Sequence, residues 1–156
     1  MKIKGIEGAT FGLMDGIVTT LGIIIGLGAT GSRLALIVGV LVTTVADALA
    51  DAAGIHVSQE TERKHSNEQV RFATIFSFAF RLLAGIILII PIFLLEFFTS
   101  VFVSVAVGMV MIAFLGYFIG KTRKESTLRM IAEYIGLGLV VVVISYYIGI
   151  LALGLV

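Results

Sequence analysis

Three acids stand where acids are costly. Asp15 lies in FGLMDGIVTT, and Asp47 and Asp51 lie one helical turn apart in TTVADALADAAGIHVS, stretches otherwise apolar enough to enter a bilayer. Insertion of a carboxylate near the centre of a membrane helix costs roughly 2.5–3.5 kcal/mol, so each must face protein, water or a bound cation rather than lipid. Carboxylates in a low-dielectric site can ionise around a cation and take up protons when it leaves, which is the chemical basis of cation and proton antiport. Oxygen donors suit Mg, Ca or Mn and admit Fe(II); the thioether of the neighbouring Met14, or a histidine, moves the preference toward Fe(II). The chain has no Cys, which excludes disulfides and thiolate metal sites.

Helical geometry sorts these residues into faces. At about 100° per residue, Gly8, Gly12, Asp15, Thr19, Gly22 and Gly26 share one narrow sector of the first helix, in which GLMDG and GIIIG both have Gly-x-x-x-Gly spacing. Small residues let another backbone approach closely. If the partner is the same helix of a second subunit, a twofold axis pairs two copies of Asp15. In the second helix Asp47, Asp51, Gly54, Ser58, Glu62, His65 and Gln69 share a sector, provided the helix continues past the membrane. One line of oxygen ligands then runs from the cytoplasm to mid-membrane, with His56 and Glu60 pointing the opposite way.

Each acid also has a plainer reading. Asp47 can pair with Arg81, which lies at comparable depth in the third apolar segment, because intramembrane charges usually pair. No basic residue is expected at the depth of Asp15 or Asp51, which favours a functional role for both. Arg129 and Glu133, one turn apart, suit a surface pair. Glu60, Glu62, His65 and Glu68 suit a solvated face, and Glu62 is singled out as a ligand only for its alignment with Asp51. Methionines more often pack than ligate, and Pro91 is expected to kink the third helix.

The elements that must position these residues are membrane spans. Of 156 residues 59% are hydrophobic and 13% charged, and the mean hydropathy is +1.15, far from the composition of a soluble domain. About 20 apolar residues cross a bilayer, and five segments qualify, at about 9–29, 34–57, 72–95, 99–120 and 129–154. The fold class is all-α, a single five-helix transmembrane domain over 1–156. No cleavable signal peptide is evident. Lys2, Lys4, Arg63, Lys64, Arg71, Lys121, Arg123, Lys124 and Arg129, nine of the eleven basic residues, fall on one side. The positive-inside rule then places the N-terminus in the cytoplasm and the C-terminus outside. A net charge of +1 carries no message about nucleic acid.

FGLMDGIVTTLGIIIGLGATGS resembles the first helix of the vacuolar iron transporter family, with its F-G-x-x-D-G opening. LIVGVLVTTVADALADAAGIHVSQETER resembles the second helix, whose usual ending is Ser-Met-Ala-Ala-Gly-Glu-Tyr-Val-Ser. LLAGIILIIPIFLL and the last two spans match more loosely. The resemblance implies a five-helix homodimer that exports Fe2+, and in some members Mn2+, from the cytosol in exchange for protons along the dimer interface. It further implies that Asp15 is the first-helix acid of the ion path. Asp51 stands where the family has Met, a harder ligand for a softer one, and Ile55 where it has Glu. SQETERKHSNEQVR replaces the long cytoplasmic metal-binding domain of plant-type members.

The resulting expectation is a secondary transporter, not an enzyme, in a prokaryotic cell membrane, homodimeric through the glycine-rich first helix. Its ligands for Fe2+ or Mn2+ are Asp15, Asp51, Asp47, Glu62 and Met14, and no cofactor is tightly bound. The alternative is a non-transporting membrane subunit or scaffold whose acids pair with Arg81 or a partner helix. An intramembrane aspartyl protease is disfavoured, because no protease motif accompanies either acid and Asp15 sits in a glycine face suited to packing.

Overall fold

The computed structural model describes residues 5–62 and 66–155. Lys2, Lys4, Arg63, Lys64 and His65, on which the expected orientation and part of the expected ligand line depend, lie outside the described residues. Five helices follow one another: α1 (Ile6–Gly28), α2 (Arg33–Thr61), α3 (Asn67–Leu94), α4 (Phe97–Arg123) and α5 (Thr127–Leu153). The described residues contain no strand, and all five helices are long and apolar enough to cross a membrane.

The helices overrun the expected spans into polar sequence. SQETERKHSNEQVR is expected as one connection, yet α2 runs to Thr61 and α3 begins at Asn67. α3 starts there on a capping box: the Ser66 hydroxyl accepts from the Gln69 backbone N–H and the Gln69 side chain accepts from the Ser66 N–H, satisfying two otherwise orphaned donors. Ser32 caps α2 similarly, accepting from the Ala35 N–H. Pro91 lies in the last turn of α3, where it acts near a terminus: Leu95 is extended at φ −116°, and its N–H donates to the Pro91 carbonyl. The Arg33 guanidinium closes this end, donating to the carbonyls of Ile92 and Leu95. A cation on the unpaired carbonyls of a helix C-terminus is favourable in both hydrogen bonding and dipole.

Glycines determine which helices touch. A Cβ built on Gly8 meets the Ala73 carbonyl, one on Gly12 the Ser77 carbonyl and one on Gly16 the Ala84 side chain, so α1 and α3 run parallel with their registers advancing together. Gly22 and Gly26 lie against Ser145, and Gly149 against Gly26, which sets α5 parallel to α1. Gly39 against Leu27 with Gln59 against Glu7, and Gly28 against Val101 with Gly108 against Leu21, set α2 and α4 antiparallel to α1. The result is an up-down bundle in which α1 touches the other four helices. Its core gathers Ile17, Leu21, Ile24, Leu36, Leu88 and Ile112, each fully buried.

The glycine face of α1, expected to receive a second subunit, is instead occupied within the chain by α3 below and α5 above. Both Gly-x-x-x-Gly pairs serve the close backbone approach that small residues permit, with the partner in the same chain. The outer surface is apolar, with Leu41, Val45 and Leu49 on α2 and Val143, Ile144 and Tyr147 on α5 exposed.

A Cβ on Gly12 would lie 2.2 Å from the Ser77 carbonyl oxygen, whereas one on Gly54 meets nothing within 4 Å. Gly12→Ala therefore lowers unfolding stability in detergent by about 1–3 kcal/mol, the usual cost of overpacking. Gly54→Ala leaves stability unchanged or slightly higher, as alanine is the better helix former. Equal melting temperatures for the two variants would contradict the α1–α3 packing.

Candidate functional site

Arg81 lies near the middle of α3, on the face that also carries Ala73, Ser77, Ala84 and Leu88, and is only 1% exposed. A residue of this size fits because α1 offers no side chain opposite it: a Cβ on Gly16 would stand 3.2 Å from Arg81 Cδ. Gly85, one turn on, gives the same clearance to α2, since a Cβ there would overlap the Thr44 side chain. The guanidinium is thus held at the junction of α1, α2 and α3.

All three intramembrane acids converge on it. Arg81 Nη1 lies 2.8 Å from Asp15 Oδ2, Nη2 donates to Asp47 Oδ2, and Nε lies 3.8 Å from Asp51 Oδ2. Asp15 and Asp51 thus meet on different nitrogens of one guanidinium, and the Thr19 hydroxyl donates to Asp15 Oδ2 at 3.4 Å. The Asp47–Arg81 pair is the one expected. For Asp15 and Asp51, expected to lie beyond any base, the arginine corrects that expectation. Depth counted along the backbone locates Cα atoms, while a long side chain carries its charge about a helical turn, ~5.4 Å, from its own position.

One guanidinium does not neutralise three carboxylates. With all groups ionised the cluster carries three negative charges and one positive, a formal net of −2. The acids are also unequally enclosed, the side chains of Asp15, Asp47 and Asp51 being 40%, 36% and 15% exposed. Beside them two hydroxyls, Ser77 Oγ and Thr44 Oγ1, are buried without hydrogen-bond partners. Such atoms normally find a partner, so each marks a place where a water or ion can be held. Sequence reasoning missed Ser77 and Thr44; the one available signal was the four-residue step from Ser77 to Arg81, which places both on one face of α3.

The remaining candidates separate. Met14 packs against the core and, with Asp15, Tyr134 and Val141, lines a cleft of about 510 Å³ between α1, α4 and α5. Asp15 is the one charged residue of that lining. Glu62 is the C-cap residue of α2, eleven residues beyond Asp51, or about 16 Å along the axis. The expected ligand line along α2 therefore breaks: the helix ends at Thr61, Gln69 belongs to α3, and Gly54 faces open space. His56 shares a hydrogen bond with Thr74 of α3 at 3.0 Å, with Glu60 3.5 Å away. Glu133 pairs with Arg129 at 2.8 Å, as a surface pair. Among the described residues no three His, Asp or Glu side chains form a ready metal-ligand set; the three that converge are drawn onto the guanidinium.

Residues 6–74 match the family model described as VIT family. The matched stretch spans α1, α2 and the first turns of α3, and so contains Asp15, Asp47 and Asp51 but stops short of Arg81. No match was found among curated proteins or solved structures.

Removing one partner of a buried ion pair leaves an uncompensated charge and typically costs about 3–5 kcal/mol. Arg81→Met is expected to lower unfolding stability in detergent by at least that much, since three acids lose their counter-charge together. Asp15→Asn and Asp51→Asn cost less, because two carboxylates still hold the guanidinium. Denaturation curves that rank either asparagine variant below Arg81→Met would show that the arginine does not organise the cluster.

Proposed function

From the vacuolar iron transporter membership that the match over residues 6–74 supports, we propose that the protein carries a divalent metal cation, Fe2+ or Mn2+, across the membrane. The observation that carries this reading is the convergence of Asp15, Asp47 and Asp51, from two matched helices, at one level inside the bundle. An excess of carboxylate over guanidinium leaves charge for a cation to neutralise, and the cleft beside Asp15 and Met14 leaves room for one. In this reading Asp15, Asp51 and Asp47 bind the ion, Met14 supplies a soft donor at its side, and Glu62 is a collecting charge at the end of α2.

Export from the cytoplasm in exchange for protons follows from the same chemistry, since carboxylates that surrender a cation in a low-dielectric site take up protons in its place. A homodimer remains part of the proposal; Gly8, Gly12 and Gly16 are taken up by α3, while Gly22 and Gly26 are only partly buried. The apolar outer faces of α2 and α5 are open for it.

A second reading, a membrane subunit that transports nothing, draws on the same arginine: three acids held on a buried guanidinium can be a structural knot. The two part on flux. Purified protein in liposomes, given an inward Mn2+ or Fe2+ gradient, is expected to take up metal and to move protons the other way, and Asp15→Asn or Asp51→Asn to reduce the initial rate at least about tenfold, the loss of roughly 1.4 kcal/mol or more of ion stabilisation. Flux that is absent in the unaltered protein, or untouched by both substitutions, assigns the cluster to structure alone.

A further inference from the structure

We infer that Arg81 is a fixed internal counter-ion that sets the valence of the cation this site prefers. This inference rests on the metal-binding reading above and adds a role for a residue outside the matched stretch.

The base and the acids differ in freedom to move. The Arg81 side chain is 1% exposed, its stem lies over Gly16, and its nitrogens face the acids, Nη1 2.8 Å from Asp15 Oδ2 and Nε 3.8 Å from Asp51 Oδ2. Its charge cannot leave. Asp15 and Asp47, by contrast, are 40% and 36% exposed and can turn their carboxylates outward about their own side-chain bonds. A cation that draws them outward therefore binds beside the arginine, not in place of it. That accounts for converging acids that do not form a ready ligand set.

Charge then selects valence. A low-dielectric site strongly disfavours residual net charge. Three carboxylates alone would be balanced by a trivalent ion. With Arg81 permanently among them the balance shifts to a divalent ion, while a monovalent ion leaves the site negative and a trivalent ion leaves it positive. The guanidinium thereby does by charge what ligand softness does elsewhere.

Competition between Mn2+ and La3+ for the purified, detergent-solubilised protein tests this, with the ratio of their affinities as the readout. Removing one fixed positive charge a few ångströms from the ion is expected to raise the La3+ preference by about tenfold or more in Arg81→Gln. Arg81→Lys, which keeps the charge, holds the ratio near that of the unaltered protein. Asp47→Asn, which keeps the arginine and removes a carboxylate, moves the ratio the other way by a similar factor, and this variant serves if Arg81→Gln does not fold. Ratios unmoved in Asp47→Asn, unmoved in a folded Arg81→Gln, or shifted equally by Arg81→Lys and Arg81→Gln overturn the inference, since a merely structural arginine changes both affinities together. Failure of the unaltered protein to bind Mn2+ at all removes the metal-site reading itself, a different outcome from Mn2+ binding with a fixed ratio.

Discussion

A positive charge buried in the middle of a helical bundle is the constraint to which the surrounding structure answers. Taking a guanidinium out of water costs several kcal/mol even after relaxation, and that cost is offset only where carboxylates and polar groups close around it. Arg81 is enclosed by an acid from α1 and two from α2. Three helices are thereby tied at one level by a single side chain.

Close packing is the condition for that arrangement. Three ion pairs onto one guanidinium require α1 and α2 to approach α3 within side-chain reach, and the glycines make the approach possible. Gly8, Gly12 and Gly16 seat α1 along α3, and Gly85 admits Thr44 of α2. Within a bilayer, where burial of apolar surface between helices gains little over contact with lipid tails, van der Waals contact and interhelical polar contacts carry the association. Glycine spacing and the charge cluster are therefore one device, the first bringing backbones near enough for the second to form.

The same cluster is unsuited to a purely structural role in one respect. A buried ion pair meant only to hold helices together is most stable when its charges balance and its polar atoms are satisfied. Here acids outnumber the base, and hydroxyls of Ser77 and Thr44 lie buried without partners. Local departures from satisfied packing concentrate where a protein does something, and an excess of negative charge beside a cleft fits the handling of a cation.

Much of this was legible in the chain before folding. Five apolar runs of bilayer length, the three acids within them and the Arg129–Glu133 pair all follow from local sequence, because hydrophobicity, helical period and i,i+4 spacing are local quantities; the Asp47–Arg81 pair follows from matching depth in two spans. Ser66-x-x-Gln69 is a capping signal that shows why the polar stretch is mostly helix. What local sequence could not decide was which helices meet. Gly-x-x-x-Gly states that a backbone will come close and not whose, so the face expected for a second subunit belongs to α3 and α5. Nor could depth along each helix foretell that one arginine gathers all three acids, since that depends on α3 lying parallel to α1 and antiparallel to α2, and on the reach of a side chain across the gap the glycines leave. Residue chemistry is written in sequence; its convergence at a point is a property of packing, where distance in space replaces distance along the chain.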